Sequence, residues 1–250
     1  MARPVHQRIL GKLFPKSKFG QTWYKQGDFI TFKTEGFVAA PSIPALMARN
    51  FYEVKYLRRI FKKIQTYDIK LLKSLEIGCG YGRLSPFIAE FFEEHYAVDI
   101  NKSALDTARS LYPSINFSST TSINFIEASA TELPFQSQTF DCIITWTVLQ
   151  HILPPQIDSA IAEINRVVKE KGFIILCETT PDPEKVNRSA HTDHRLEEFY
   201  VKSFPSKSLI LSTYLNEIDR VESIAMPGRL MVFAPKCTSE NFNYEGDLIK

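Results

Sequence analysis

The sequence lacks the features that mark secreted, membrane-spanning or metal-holding chains. It has only four cysteines, Cys79, Cys142, Cys177 and Cys237, far apart and at no zinc-ligand spacing, so no metal site is expected. Unpaired cysteines set in apolar runs suit a reducing compartment, and a cytoplasmic protein is expected. No apolar stretch nears the roughly 20 residues needed to span a bilayer. Repeats, low-complexity segments and a long linker are missing too. The formal net charge is only +2 over 250 residues, which disfavours nucleic acid as a partner. With 44% hydrophobic and 23% charged residues, the composition is that of a globular chain long enough to bury a substantial core.

One absence is local. The first 27 residues contain no acid, but they hold Arg3, Arg8, Lys12, Lys16, Lys18 and Lys25, interleaved with Val5, Ile9, Leu10, Leu13 and Phe14. A transit peptide would carry more Arg and Ser, and a signal peptide needs an unbroken apolar run that Lys12 and Pro15 deny. A solvated entry segment is the preferred reading, with a weak membrane-surface contact as the alternative.

Residues 1–70 read as an N-terminal cap or lid, aromatic at first (Trp23, Tyr24, Phe29, Phe32, Phe37) and then helical from Ala45 to Ile64, where Leu46, Phe51, Val54, Leu57, Phe61 and Ile64 recur at helical spacing. Residues 71–236 form the expected core and residues 237–250 a polar tail. In the core, strands are expected at Ser74–Ile77, Tyr96–Ile100, Ile123–Ala128, Phe140–Trp146 and Phe173–Cys177. Helices are expected between them at Leu84–Phe92, Ser103–Leu111 and Gln156–Val168, the last capped by Gly172. Two more strands, Asp219–Met226 and Arg229–Ala234, would meet through Pro227-Gly228 as antiparallel neighbours. This alternation predicts an α/β fold, a single Rossmann-like doubly wound sheet of about seven strands, mostly parallel with the last antiparallel, under an N-terminal helical cap.

Leu75-Glu76-Ile77-Gly78-Cys79-Gly80-Tyr81-Gly82-Arg83 places an acid and three glycines at alternate positions between an apolar strand and a helix. Glycine there permits positive φ and close approach of a ligand to the backbone. The dinucleotide fingerprint needs its third glycine where Arg83 stands, so an NAD site is disfavoured. Asp99, at the end of the next strand and 21 positions after Gly78, is placed to accept hydrogen bonds from both hydroxyls of a ribose. The competing role is a helix cap, for which Asn101 and Ser103 are alternatives.

The pattern acid-x-Gly-x-Gly-x-Gly resembles the first motif of class I S-adenosylmethionine-dependent methyltransferases. Downstream, Glu127 to Phe135 followed by Phe140-Asp141 resembles the type-11 methyltransferase stretch in which an Asp-Ala pair meets the adenine, with Ser129 here in the place of Asp. Val148-Leu149-Gln150-His151-Ile152 and Glu163 to Gly172 resemble two further elements of that family, the last departing at Glu170 and Phe173. The resemblance covers about Leu75 to Glu178. It implies S-adenosylmethionine as cofactor, bound across Glu76, Gly78, Gly80, Gly82, Asp99, Ile100, Ser129, Ala130 and Thr145, with Arg49 or Tyr24 holding its carboxylate. Glu76 is expected to act mainly by tying down the glycine turn, and Tyr81 and Arg83 to pack beside it.

A small-molecule acceptor is expected, first a hydroxyl. Nucleic-acid amino-methyltransferases usually carry a Pro-Pro-aromatic tetrapeptide after the fourth strand, which is missing. His191 and His194, in the polar stretch after the fifth strand, are the candidate bases, and His151 is read as a core residue. An RNA or protein methyltransferase and a catalytically silent cofactor-binding scaffold are the alternative functions.

Overall fold

Alternating strand and helix signals after Leu71 become one seven-stranded sheet in the computed structural model, which describes residues 30–31, 39–40, 43–66, 70–112, 122–181, 192–215 and 228–236. The elements in chain order are β1 (Ile30–Thr31), β2 (Ala39–Ala40), α1 (Ile43–Gln65), β3 (Lys73–Ile77), α2 (Ser85–Ala89), β4 (Glu94–Asp99), α3 (Lys102–Leu111), β5 (Ser122–Glu127), β6 (Phe140–Trp146), a 3₁₀ turn (Leu149–His151), α4 (Gln156–Val167), β7 (Val168–Glu178), α5 (Glu197–Ser203), β8 (Lys207–Tyr214) and β9 (Arg229–Pro235). β1 and β2 pair as a two-stranded antiparallel ribbon in a stretch read from sequence as irregular.

The large sheet runs β5-β4-β3-β6-β7-β9-β8. β3 is paired in parallel with both β4 and β6, so the strand order reverses beside it, and the crevice opens where its glycine turn begins. β9 is antiparallel to β7 and to β8.

Period-two alternation divides each central strand between two cores. Cys142, Ile144, Phe173, Ile175, Cys177, Leu230 and Val232 face α1 and α2 on one side. Ile143, Ile174, Leu176, Met231 and Phe233 face α4 and α5 on the other. α1 enters the first core with Leu57, Ile60, Phe61 and Ile64, spaced three or four residues apart as a helical stripe requires.

Two expectations are corrected. The strand beside β9 is Lys207–Tyr214, so β9 does not meet its neighbour through Pro227-Gly228; Asp219–Met226 and Pro227 lie outside the described residues. The signal in Leu209-Ile210-Leu211 is a short apolar run, ambiguous between helix and strand by periodicity alone. Gly172 caps no helix, because β7 has already begun at Val168. It lies by an irregularity in the β6–β7 pairing, where an added Cβ would come 2.9 Å from the Phe140 carbonyl oxygen. Lys207, itself buried, fastens this stretch by donating to the carbonyls of Lys169, Glu170 and Gly172.

Phe61 joins α1 to the sheet. Its fully buried ring lies 5.0 Å from that of Phe91 and 5.3 Å, edge to face, from that of Phe92. Phe61→Ala should destabilise the protein by about 3–5 kcal/mol, read as a lower urea midpoint with an unchanged slope.

Candidate functional site

The crevice is a cavity of about 660 Å³ at the carboxyl ends of β3, β4, β5 and β6. Its floor is the glycine turn. The Gly78 and Cys79 amides both donate to the Val98 carbonyl, at 2.7 and 3.0 Å, which pins the turn to β4. Gly78 has φ +73°, and a Cβ there would lie 2.3 Å from a Val148 methyl, so only glycine lets the turn and the loop after β6 close on each other. Gly82 is absent from the cavity lining. It packs where a side chain would meet Phe125 and Tyr112.

Asp99 lines the cavity from the end of β4. Oδ2 accepts from the Gly80 amide at 2.7 Å and Oδ1 from the Asn101 amide at 2.8 Å. Burial pushes its carboxyl up, and these amides pull it back. The Ile100 amide also bears on it, and since a carboxylate accepts about four hydrogen bonds, some acceptor capacity remains toward the cavity. The cap of α3 is Asn101, whose side chain accepts from the Ser103 and Ala104 amides. Asp99 therefore does not serve as that cap.

The other expected cofactor residues divide. Glu76, Gly78, Gly80, Ile100, Ser129 and Ala130 line the cavity; Gly82, Thr145 and Arg49 are not among its lining residues. Glu76 is buried, accepts from the Ser85 hydroxyl and lies 3.4 Å from His95 Nε2, so it ties the turn to α2 and β4. The Ser129 hydroxyl bonds that of Thr131 at 2.7 Å. Glu163 and Arg166 of α4 hold the segment that follows: the Leu133 amide donates to Glu163, and Arg166 donates to the Leu133 and Phe135 carbonyls. Two sequence motifs some 30 residues apart thus meet as one clamp.

Thr145 is buried behind the wall and donates to Glu178 Oε1 at 3.0 Å. Glu178, fully buried at the end of β7, also accepts from the amides of Val148 and Leu149, both at 3.1 Å, and of Gln150 at 3.2 Å. Burial pushes its carboxyl up, opposed by those donors. At the other end of the 3₁₀ turn, Arg195 donates to the Leu149 and Ile152 carbonyls and pairs with Asp193 at 2.9 Å. An acid at the amino end and a guanidinium at the carboxyl end match the turn's backbone charges. Thr147, on the cavity wall before the turn, donates its amide to the Cys177 carbonyl and has φ +58°, a left-handed conformation uncommon for a β-branched residue.

Of the histidines, His151 lines the cavity and His194 does not; His191 lies outside the described residues. Gln150 Oε1 accepts the Thr179 amide at 2.9 Å, which leaves its NH₂ group to face His151 Nε2 at 3.2 Å. Nε2 is then the acceptor, and the proton of neutral His151 sits on Nδ1.

Sequence reasoning missed the cluster that backs the cavity on the α1 side. Glu53 is fully buried between two guanidiniums: Arg49 Nε lies 2.7 Å from Oε1, and Arg83 Nη1 2.6 Å from Oε2. Arg83, expected only to pack beside the turn, lines the cavity with Tyr81 and also donates to Asn50 Oδ1 at 2.7 Å. Burial alone would raise the Glu53 pKa, but the two guanidiniums and the Trp146 indole bring it down from the usual 4.5 to about 2. Burial pushes the Tyr81 phenol up to about 12, so it stays protonated at neutral pH. The signal available in the sequence was spacing: Glu53 stands four residues before Leu57 and seven before Ile60, on the buried stripe of a helix with no other acid.

A doubly wound sheet with a glycine turn at the switch point and an acid on the neighbouring strand end defines a nucleoside-cofactor-binding enzyme fold. Residues 75–176 match the family model described as a methyltransferase domain. It is 26% identical over 150 residues to the demethylmenaquinone methyltransferase of Clavibacter sepedonicus, covering 57% of this chain and 56% of that one. Identity is 30% over 129 residues to the ubiquinone/menaquinone biosynthesis C-methyltransferase UbiE of Haemophilus ducreyi, covering 49% and 48%. This chain therefore spans about half the length of these relatives. A methyltransferase of known structure from Methanosarcina mazei superposes with a TM-score of 0.55 at 19% identity, over 69% of this chain and 96% of that one.

The Glu53 cluster predicts a pH dependence. A carboxyl whose pKa is depressed on folding stabilises fully above its unfolded value, and that contribution declines as pH falls from about 4.5 toward 2. Glu53→Gln leaves two guanidiniums buried without their counter-charge and should cost about 3–5 kcal/mol at pH 7. In urea unfolding followed down the acid limb, wild type and variant should converge as pH nears 2.

Proposed function

We propose that the protein transfers a methyl group from S-adenosylmethionine to a small-molecule acceptor. The observation that carries this reading is the Asp99 carboxylate, which lines the cavity beside Gly78 and Gly80 with acceptor capacity remaining. The residues fit the cofactor: Asp99 suits a pair of ribose hydroxyls, and Gly78 gives a backbone floor at a place where any Cβ would strike Val148. Ile100 (74% exposed), Ser129 and Ala130 offer a mixed surface for an adenine ring. Arg83 takes over the carboxylate-binding role first given to Arg49, because it reaches the cavity wall and Arg49 backs it through Glu53.

The cofactor supplies an electrophilic methyl on a sulfonium, so the protein's task is alignment and exclusion of water, and positioning alone is worth roughly 7–11 kcal/mol of barrier. His151 has its basic Nε2 engaged with Gln150. This favours an acceptor that needs no base from the wall, such as an activated carbon or a neutral amine. The relatives named for quinone substrates and for C-methylation are in line with that. A hydroxyl acceptor, with His191 or His194 as its base, is the second reading. Thr145 acts in this scheme by holding Glu178, and Gly82 by packing. Residues 1–70 as cap or lid, 71–236 as catalytic core, 237–250 as tail, and a cytoplasmic location remain part of the proposal.

Asp99→Ala should weaken S-adenosylmethionine binding by about 2–4 kcal/mol, roughly 30-fold to 1000-fold, by removing one or two charge-assisted hydrogen bonds. Titration calorimetry on the folded variant checks this, and unchanged affinity refutes the assignment. Incubation with methyl-labelled cofactor and fractionated cell extract tests the acceptor class. Label in small metabolites is expected; label in RNA or protein supports the macromolecular alternatives, and binding without transfer a silent scaffold.

A further inference from the structure

The small net charge conceals a division. Residues 1–66 hold thirteen Lys and Arg against three acids, whereas residues 67–250 hold seventeen against twenty-five. A basic end is joined to an acidic body. Its largest described element is α1, whose single acid, Glu53, is fully buried on the core side. At 3.6 residues per turn, Met47, Phe51, Lys55, Arg58 and Lys62 share the opposite side, within roughly 80° of one another. Met47 is 69% and Phe51 64% exposed, among the largest exposures of any apolar side chain described. One α1 face therefore carries two protruding apolar residues, three cations and no acid of its own, with Arg58 reaching Glu90 of the neighbouring segment.

We propose that this face of α1 docks on an anionic lipid surface, with Met47 and Phe51 entering the boundary between headgroups and acyl chains and Lys55, Arg58 and Lys62 lying against the phosphates. Charge decides the occupant. The chain's own first 27 residues, six cations without an acid, are repelled by such a face and instead add to its attraction for an anionic surface. Nucleic acid fits less well: the protruding Met47 and Phe51 would stand against a phosphate backbone that offers them no apolar partner, and the body beyond α1 is acidic. An exposed apolar pair at i, i+4 beside basic residues is the pattern of helices lying in a membrane interface. The turns that would touch lipid also carry Asn50 and Glu53, which hold Arg83 on the cavity wall. Docking would thus bring the cavity close to the membrane surface. The inference rests on charge and exposure and stands apart from the methyl-transfer reading.

Sedimentation of the full chain with vesicles tests it, using phosphatidylcholine alone and phosphatidylcholine mixed with phosphatidylserine. Binding is expected to the mixed vesicles and to fall with added salt. Lys55→Gln with Lys62→Gln should weaken it roughly 25-fold, at about fivefold per cation near a charged surface. Met47→Ser with Phe51→Ser should weaken it further, and exposure of both side chains predicts that this variant keeps the wild-type urea midpoint. Equal binding to the two vesicle types, undiminished binding by the folded fourfold variant, or tighter retention of transfer RNA than of vesicles would each overturn the proposal.

Discussion

A carboxylate at the end of a buried strand costs several kcal/mol to take out of water. Glu178 offsets that cost with four donors, the amides of Val148, Leu149 and Gln150 and the Thr145 hydroxyl. Those donors come from the loop that forms one wall of the cavity, so the loop's path follows from the need to satisfy the acid. Thr147 is held at positive φ, Val148 is pressed onto Gly78, and Gln150 is oriented so that its NH₂ meets His151. Arg195 closes the same turn from below by taking its carbonyls. The loop cannot relax without leaving a charge or several backbone groups unsatisfied in the interior.

The same device recurs at the other walls. Asp99 takes two backbone amides at the end of β4, and Glu53 takes two guanidiniums behind the glycine turn. Each acid ties an element distant in sequence to the carboxyl edge of the sheet. Glu53 is the one that reaches into the N-terminal region: α1 contributes little to the cavity lining, yet through Asn50 and Glu53 it sets where the Arg83 guanidinium lies. A change on α1 is therefore transmitted to the site through an ion pair as well as through the apolar packing of Phe61.

What was legible in the sequence follows from this division. The central strands and the helices between them announced themselves through hydrophobic period, because one face or both are buried and local patterning records burial directly. Gly78, Gly80 and Asp99 were legible because backbone geometry and strand-end position restrict the residue types that fit. Arg83, Glu53 and Glu178 were not, since their roles depend on partners 28 or more residues away and a single charged residue looks alike whether solvated or buried. Gly82 and Thr145 sat within the right motifs but serve the wall from behind, a distinction of a few ångströms that spacing cannot carry. The strand before β9 was misplaced because the apolar run Leu209-Ile210-Leu211 is too short for its period to tell strand from helix, and only its pairing with β9 does so.

The balance between costly buried charge and modest net gain also bears on the chemistry. Replacing buried ion pairs with apolar residues is often neutral or stabilising, so buried acids gathered around one cavity are poorly explained by stability alone. They suit the proposed methyl transfer, a reaction that asks for geometry. An acceptor, a methyl carbon and a sulfur must be brought into line, and a misplacement of about 1 Å can cost roughly 100-fold in rate. A wall built from backbone held by satisfied carboxylates is stiffer than one built from rotatable side chains. For the proposed transfer that stiffness matters more than a base on the wall, and the contact of His151 Nε2 with Gln150 accords with it.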